Sequence, residues 1–319
     1  MPAPRARRGF RVVAGIVFAP VVLSVAAVSA SAHTSASVPE GDAAYVDALQ
    51  PFPDPFSIAA KASGTTSSQP ASSPTGTASS TATESSTATE SSSPTAASTA
   101  PAGYALALYD DFSGSSINTD KWGVYNGAKS DRRSATSSSN VFVSNGNLVL
   151  RSKKTSTGWT TAGVSSARGL KQKYGKYEVR ARVDRGYGLR SVMLLWPADT
   201  SWPPEVDFWE FSGRDPLRTT NHLTSHWGTA SSRKVQQNSY EADFTQWHTV
   251  GVEWTPTALR YTLDGRVMAT MTGAAVPQER MWLGMQTNTG SCALSACPNA
   301  STPNVIDFEI DWVKVYRRS

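Results

Sequence analysis

Trp202-Pro203-Pro204-Glu205-Val206-Asp207-Phe208-Trp209-Glu210 decides how the rest of this chain is read. Three carboxylates stand among bulky apolar side chains in a stretch with strand character. Side chains alternate faces along a strand, so Glu205 and Asp207 share one face while Val206 and Phe208 share the other. Strict alternation leaves Trp209 beside the two acids and sends Glu210 to the opposite face. One extra residue, a β-bulge between Asp207 and Glu210, returns Glu210 to the acid face, and bulges occur next to active sites. Three acids on one face repel one another, which a sheet avoids without a use for it. A solvated or calcium-binding face is the plainer reading. The apolar neighbours of Asp207 favour instead a catalytic set, such as the carboxylate pair of a glycosidase with a third acid that tunes it.

Outward from this stretch the pattern is all-β. Val141-Phe142-Val143 and Leu148-Val149-Leu150 flank Asn145-Gly146, a dipeptide suited to a tight hairpin, and Asp264-Gly265 sits likewise between Leu259–Leu263 and Val267–Thr270. Tyr177, Val179, Ala181 and Val183 alternate with Glu178, Arg180, Arg182 and Asp184, as in a half-buried strand. His248–Trp254 and Val305–Tyr316 behave in the same way, and no helical repeat exceeds a turn or two. Many short strands from about residue 103 to 319 predict one antiparallel β-sandwich or jelly roll. All ten tryptophans lie between Trp122 and Trp312. Sugar rings stack on aromatic faces, so this excess suits a carbohydrate cleft as well as a core.

The first third reads differently. Arg5, Arg7, Arg8 and Arg11 precede an apolar run from Val12 to about Val28 that ends in Ala30-Ser31-Ala32, the pattern of a secretory signal over residues 1–32. An uncleaved membrane anchor is the competing reading, disfavoured by the short run and by Pro20. Residues 33–102 are rich in Ser, Thr, Ala and Pro, with Ala82-Thr83-Glu84-Ser85-Ser86 echoed at Ala88-Thr89-Glu90-Ser91-Ser92. Such a segment buries too little apolar surface to order itself and is expected to be a disordered tether. Of 30 basic and 25 acidic residues, the leader holds four Arg and the tether Lys61 and six acids, which leaves 25 and 19 for the folded part. That modest excess fits a soluble surface or an affinity for anionic polymers, and no motif supports nucleic-acid binding. Cys292 and Cys297 are the only cysteines; in an exported chain they are expected to close a small disulfide loop.

Glu-x-Asp-x-x-Glu preceded by Trp-Pro resembles the signature of glycoside hydrolase family 16, which contains laminarinases, lichenases, agarases and carrageenases. Tyr174-Gly175-Lys176-Tyr177-Glu178-Val179-Arg180, Leu194-Leu195-Trp196-Pro197 and Ile310-Asp311-Trp312-Val313-Lys314-Val315-Tyr316 resemble further family segments in the family's order. The likeness runs from about residue 104 to 318. One departure is visible: the family usually carries Gly before the first Glu, where Pro204 stands here. Proline lacks an N–H and demands a strand start, an edge or a bulge at that point.

The resemblance implies a jelly roll of two curved sheets with a cleft, and an endo-acting retaining enzyme on β-1,3 or mixed β-1,3/1,4 glucan. It assigns Glu205 as nucleophile, Glu210 as acid/base and Asp207 as the acid bonded to the nucleophile. Crowding of the three charges is expected to hold a proton on one carboxyl, assigned here to Glu210. The expected sugar contacts are Trp202, Trp196, His226, Trp227, Gln286 and Asn288. No cofactor is required. A structural calcium ion is the accessory the resemblance suggests, held by Asp311 and Gly146 with Asp110 or Asp111. The expected partner is a polysaccharide, with no nucleic acid, no membrane after signal cleavage, and a secreted monomer. Two other readings stay open: a non-catalytic polysaccharide-binding jelly roll, and a transglycosylase or a hydrolase of a galactan or bacterial exopolysaccharide.

Overall fold

Two tight turns show how local sequence builds this fold. Asn145 and Gly146 both adopt positive φ (51° and 73°), as do Asp264 and Gly265 (47° and 79°), the conformation that folds one strand straight back on the next. The computed structural model describes residues 100–127, 134–290 and 296–319. The expected signal, nearly all of the expected tether, and Cys292 fall outside the described residues.

In chain order the strands are β1 Tyr104–Asp110, β2 Gly123–Val124, β3 Ser134–Thr136, β4 Val141–Ser144, β5 Asn147–Thr155 and β6 Gly158–Thr161. Next come β7 Gly163–Ser165, β8 Gly175–Val183, β9 Leu189–Pro197, β10 Glu205–Glu210 and β11 Thr220–Thr229. The last are β12 Ser232–Glu241, β13 His248–Trp254, β14 Ala258–Leu263, β15 Arg266–Thr272, β16 Met281–Thr289 and β17 Val305–Arg318. Among the described residues there is no α-helix, and none is long and apolar enough to cross a membrane.

One sheet runs β15-β14-β13-β8-β17-β5-β6-β3, with β1 added on β17 and β4 on β5; the other runs β12-β11-β10-β9-β16-β7-β2. Pairings are antiparallel except β3 with β6. The strict alternation predicted for β8 is present, with Tyr177, Val179, Ala181 and Val183 buried. They meet Val206, Phe208 and Trp209, from the strand of the acids, and Phe211 just after it in one core between the sheets.

Strands β9, β10 and β16 are buried along their whole length, on both faces. The face away from the core carries a second apolar cluster of Val192, Leu194, Trp196 and Trp282, with Trp202 packed against it. A strand with apolar groups on one face and buried acids on the other cannot shift by one residue without exchanging them, so the register of β10 is strongly specified.

Candidate active site

Pro204 precedes the first paired residue, and β10 begins at Glu205, so its missing N–H costs the ladder nothing. Val206 pairs with Leu195 and Asp207 with Leu194, but Trp209 then pairs with Met193, so the register shifts at Phe208. This is the bulge that the placement of three acids on one face requires. Phe208 and Trp209 both enter the core, and Glu210 returns to the side of Glu205 and Asp207. Trp209 is therefore a core residue: its Nε1 donates to Ser191 Oγ at 2.9 Å, and its ring meets Phe211, Phe244 and Phe308 at centroid distances of 5.2–5.3 Å.

A bulge leaves backbone groups outside the ladder, and the side chain of Asn221 on β11 takes them up. Its Oδ1 accepts from the Glu210 N–H at 2.7 Å, while its Nδ2 donates to the Phe208 carbonyl at 3.1 Å and to the Tyr240 hydroxyl at 2.9 Å. The amide thus ties both sides of the bulge to the neighbouring strand.

Each carboxylate has a distinct environment. Glu205 Oε2 accepts from the indole Nε1 of Trp202 at 2.7 Å. Glu210 Oε1 accepts from Arg190 Nη2 at 3.0 Å, and Oε2 from Thr224 Oγ1 at 2.8 Å; Thr224 in turn accepts from Gln237 Nε2 at 3.1 Å. Arg190 also donates through Nε to the Phe211 carbonyl at 3.2 Å. Asp207 lies between the two glutamates, with His226 Nε2 at 3.7 Å from its Oδ2.

Burial, and then the negative charges of Glu205 and Glu210, push Asp207 well above the usual carboxylate range. Asp207, with a like charge on either side, is thus pushed toward its protonated form. Burial, helped by the positive charge of Arg233, lowers His226 to about 4, so its imidazole is neutral at pH 7.

The other expected sugar contacts divide by face. His226 is the cross-strand partner of Glu205, so it shares the acid face, and the ring of Trp202 lies 5.9 Å from it. The guanidinium of Arg233 stands 5.0 Å from the centroid of Trp202. Gln286 pairs with Val192 and Asn288 with Arg190, which places both on that face, and Trp196 joins the apolar cluster there. Trp227 does not belong with them. Next to His226 on a regular strand, it points the other way and packs against the inter-sheet core. Alternation alone excludes it from the site.

The calcium residues are arranged for other work. Asp311, on β17, forms an ion pair with Arg180, and Gly146 serves the β4–β5 turn. Asp110 accepts from Trp122 Nε1 at 2.8 Å and from the Phe112 N–H at 3.2 Å. A dication at Asp311 would face the guanidinium already there, so these side chains as placed do not fit calcium.

Several buried polar atoms on the acid face have no hydrogen-bond partner within the protein: Asp207 Oδ2, both ring nitrogens of His226, His222 Nδ1 and Asn288 Oδ1. Such groups are normally satisfied. A ligand rich in hydroxyls supplies both donors and acceptors.

Residues 128–314 match the family model described as glycosyl hydrolases family 16. The chain belongs to that family. The Endo-1,3-1,4-beta-glycanase ExsH of Rhizobium meliloti (strain 1021) is 29% identical over 192 residues, covering 57% of this chain and 40% of that protein. The Glucan endo-1,3-beta-glucosidase of Cryptopygus antarcticus is 30% identical over 128 residues, 37% of this chain and 45% of its own length. The chain thus spans less than half the length of these curated relatives. In fold it is similar to the catalytic domain of an endo-1,3-beta-glucanase (laminarinase) from Thermotoga petrophila RKU-1, with a TM-score of 0.60 at 20% identity over 68% of this chain and 98% of that one.

Against that family frame, Arg190, Thr224, Asn221 and Gln237 are the site residues that sequence reasoning passed over. Arg190 did carry a signal: it is the one charge in the apolar run Leu189–Pro197. A charge inside a buried strand needs a buried partner. Asn221 and Thr224 carried none, because their role depends on which strand lies beside β10.

Proposed function

We propose that this family 16 chain is an exported, endo-acting, retaining hydrolase of β-1,3 or mixed β-1,3/1,4 glucan. The observation that carries this reading is the bulged strand β10, which gathers Glu205, Asp207 and Glu210 on one buried face beside the indole of Trp202. The names of the glucan-cleaving relatives support the choice of substrate.

In the first half-reaction Glu205 attacks the anomeric carbon while Glu210 protonates the departing glycosidic oxygen. In the second, Glu210 takes a proton from water, which releases the sugar from Glu205. Trp202 fixes one oxygen of Glu205 and so orients the other toward the reacting carbon. Arg190 and Thr224 hold both oxygens of Glu210, an arrangement suited to the base half of the cycle. In the acid half Glu210 carries a proton, and Asp207 is the neighbouring group that stores one. Neutral His226 and Asn288 offer donors and acceptors to sugar hydroxyls.

The same reading includes a signal cleaved after Ala32, a flexible tether, a Cys292–Cys297 bridge and a monomeric head. Reducing-sugar release from laminarin and lichenan, with Glu205→Gln in parallel, tests the activity. Release abolished in the variant is the expected result. A first product of inverted anomeric configuration by NMR refutes retention, and silence on both glucans with binding retained refutes hydrolysis. An exported protein whose N-terminus is His33 supports cleavage; intact Met1 in the membrane fraction refutes it.

A further inference from the structure

On the acid face Glu205, Asp207 and His226 each present one atom of ligand type, and these atoms lie within 4.8 Å of one another. All three residues are buried. The 3.7 Å between His226 Nε2 and Asp207 Oδ2 is too long for a hydrogen bond. Neither ring nitrogen of His226, nor Asp207 Oδ2, has a partner within the protein. Unsatisfied donors and acceptors at this depth are rare, and here they converge on one small space.

Once the metal displaces the proton that Asp207 favours, one imidazole nitrogen with two carboxylate oxygens is a donor set for zinc, copper or nickel. Calcium and magnesium ask for about six or more oxygens. Three protein ligands with a fourth position open is a common arrangement for zinc that holds a water or another small ligand. Zinc bonds of about 2.0–2.2 Å set tetrahedral neighbours roughly 3.3 Å apart, so a small side-chain rotation brings the ligands into place.

We propose that Glu205, Asp207 and His226 form a binding site for a divalent transition metal ion, and that its occupancy closes the site to sugar. The first half is independent of the glycosidase reading; the second rests on it. A metal here engages the nucleophile and its neighbouring acid together, so inhibition is competitive with glucan and reversed by a chelator.

Isothermal titration of the purified full chain with zinc, and cobalt(II) absorption spectra, test the site without reference to activity. The expected result is one equivalent of zinc, the intense visible bands of four-coordinate cobalt, and an affinity weakened by about tenfold or more in His226→Asn through loss of one of three ligands. His248→Asn, whose ring pairs with Asp264 at 2.8 Å away from these ligands, leaves the affinity unchanged. Wild-type protein that binds no zinc, or shows only the weak spectrum of six-coordinate cobalt, overturns the proposal without any variant. So does a folded His226→Asn that binds zinc as tightly as wild type. Glucan cleavage that continues at saturating zinc overturns the inhibitory half. Failure of the glycosidase reading is recognised separately, as no sugar release from metal-free protein.

Discussion

Replacing Arg190 by Met should destabilise the protein far more than loss of a surface ion pair. Both partners are out of water, with side-chain exposures of 1% for Arg190 and 0% for Glu210, and Nη2 lies 3.0 Å from Oε1. Methionine follows the path of the arginine stem but supplies neither the charge nor the donor to the Phe211 carbonyl. Glu210 is then left as a buried carboxylate held by Thr224, and removing one partner of a buried pair costs about 3–5 kcal/mol. At about 2–4 °C per kcal/mol for a domain of this size, the melting temperature falls by roughly 6–20 °C. The assay is urea unfolding at pH 7 of wild type, Arg190→Met, Glu210→Gln and the double variant. In the double variant no charge remains to be buried alone, so most of the loss should return, and the coupling between the two positions should be large. A single-variant loss below about 1 kcal/mol, the range of exposed pairs, refutes the reasoning. Simple additivity in the cycle refutes it as well.

Other outcomes follow from the same geometry. Asp207 keeps its proton in the folded state at pH values where the unfolded chain has lost it, so its contribution to stability is present below about pH 4 and declines as pH rises. Asp207→Asn should therefore flatten the fall in stability above pH 4 and raise unfolding free energy at pH 7; an unchanged pH slope in urea titrations contradicts this. His226 acts in the opposite sense: its value of about 4 lies below that of an unfolded histidine, about 6.5, so its contribution is complete above that and lost as pH falls toward 4. His226→Asn should remove that loss between pH 6.5 and 4. Trp202→Phe keeps an aromatic ring against the cluster of Val192, Leu194, Trp196 and Trp282 but removes the donor to Glu205. With a hydrogen bond to a charged group worth about 1.5–3 kcal/mol, cleavage should slow by roughly 10- to 150-fold, and a rate within twofold of wild type would exclude a role for that contact. Asn221→Ala strands the Glu210 N–H and the Phe208 carbonyl at the bulge; a loss of about 1–3 kcal/mol in unfolding free energy, with a lower kcat for glucan, is expected. Wild-type stability in that variant would mean the bulge needs no clamp.

Much of this protein is legible in one dimension because its signals are local. The φ angles of Asn-Gly and Asp-Gly turns, the alternation of Tyr177 to Val183, and the effect of Pro204 at the head of β10 depend on neighbours within a few residues. The need for a bulge was also readable, since three acids at that spacing share a face only if one residue is extra.

What only the tertiary structure decided is where partners come from. The chain names three acids but not their surroundings: Asp207 is pushed up by its burial and by Glu205 and Glu210 on either side, while a guanidinium twenty residues earlier, on β9, reaches Glu210. Asn221 becomes the clamp of the bulge because β11 is the strand laid against β10. Trp227 looked like a companion of His226, and the pleat turned it away, to pack against the core. Asp311, matched to a calcium ligand by its place in the chain, is occupied by an arginine on the neighbouring β8. Backbone preference acts over a few bonds and can be read in order. Charge compensation and the satisfaction of buried polar groups act through space, and are settled only when strands far apart in sequence become neighbours.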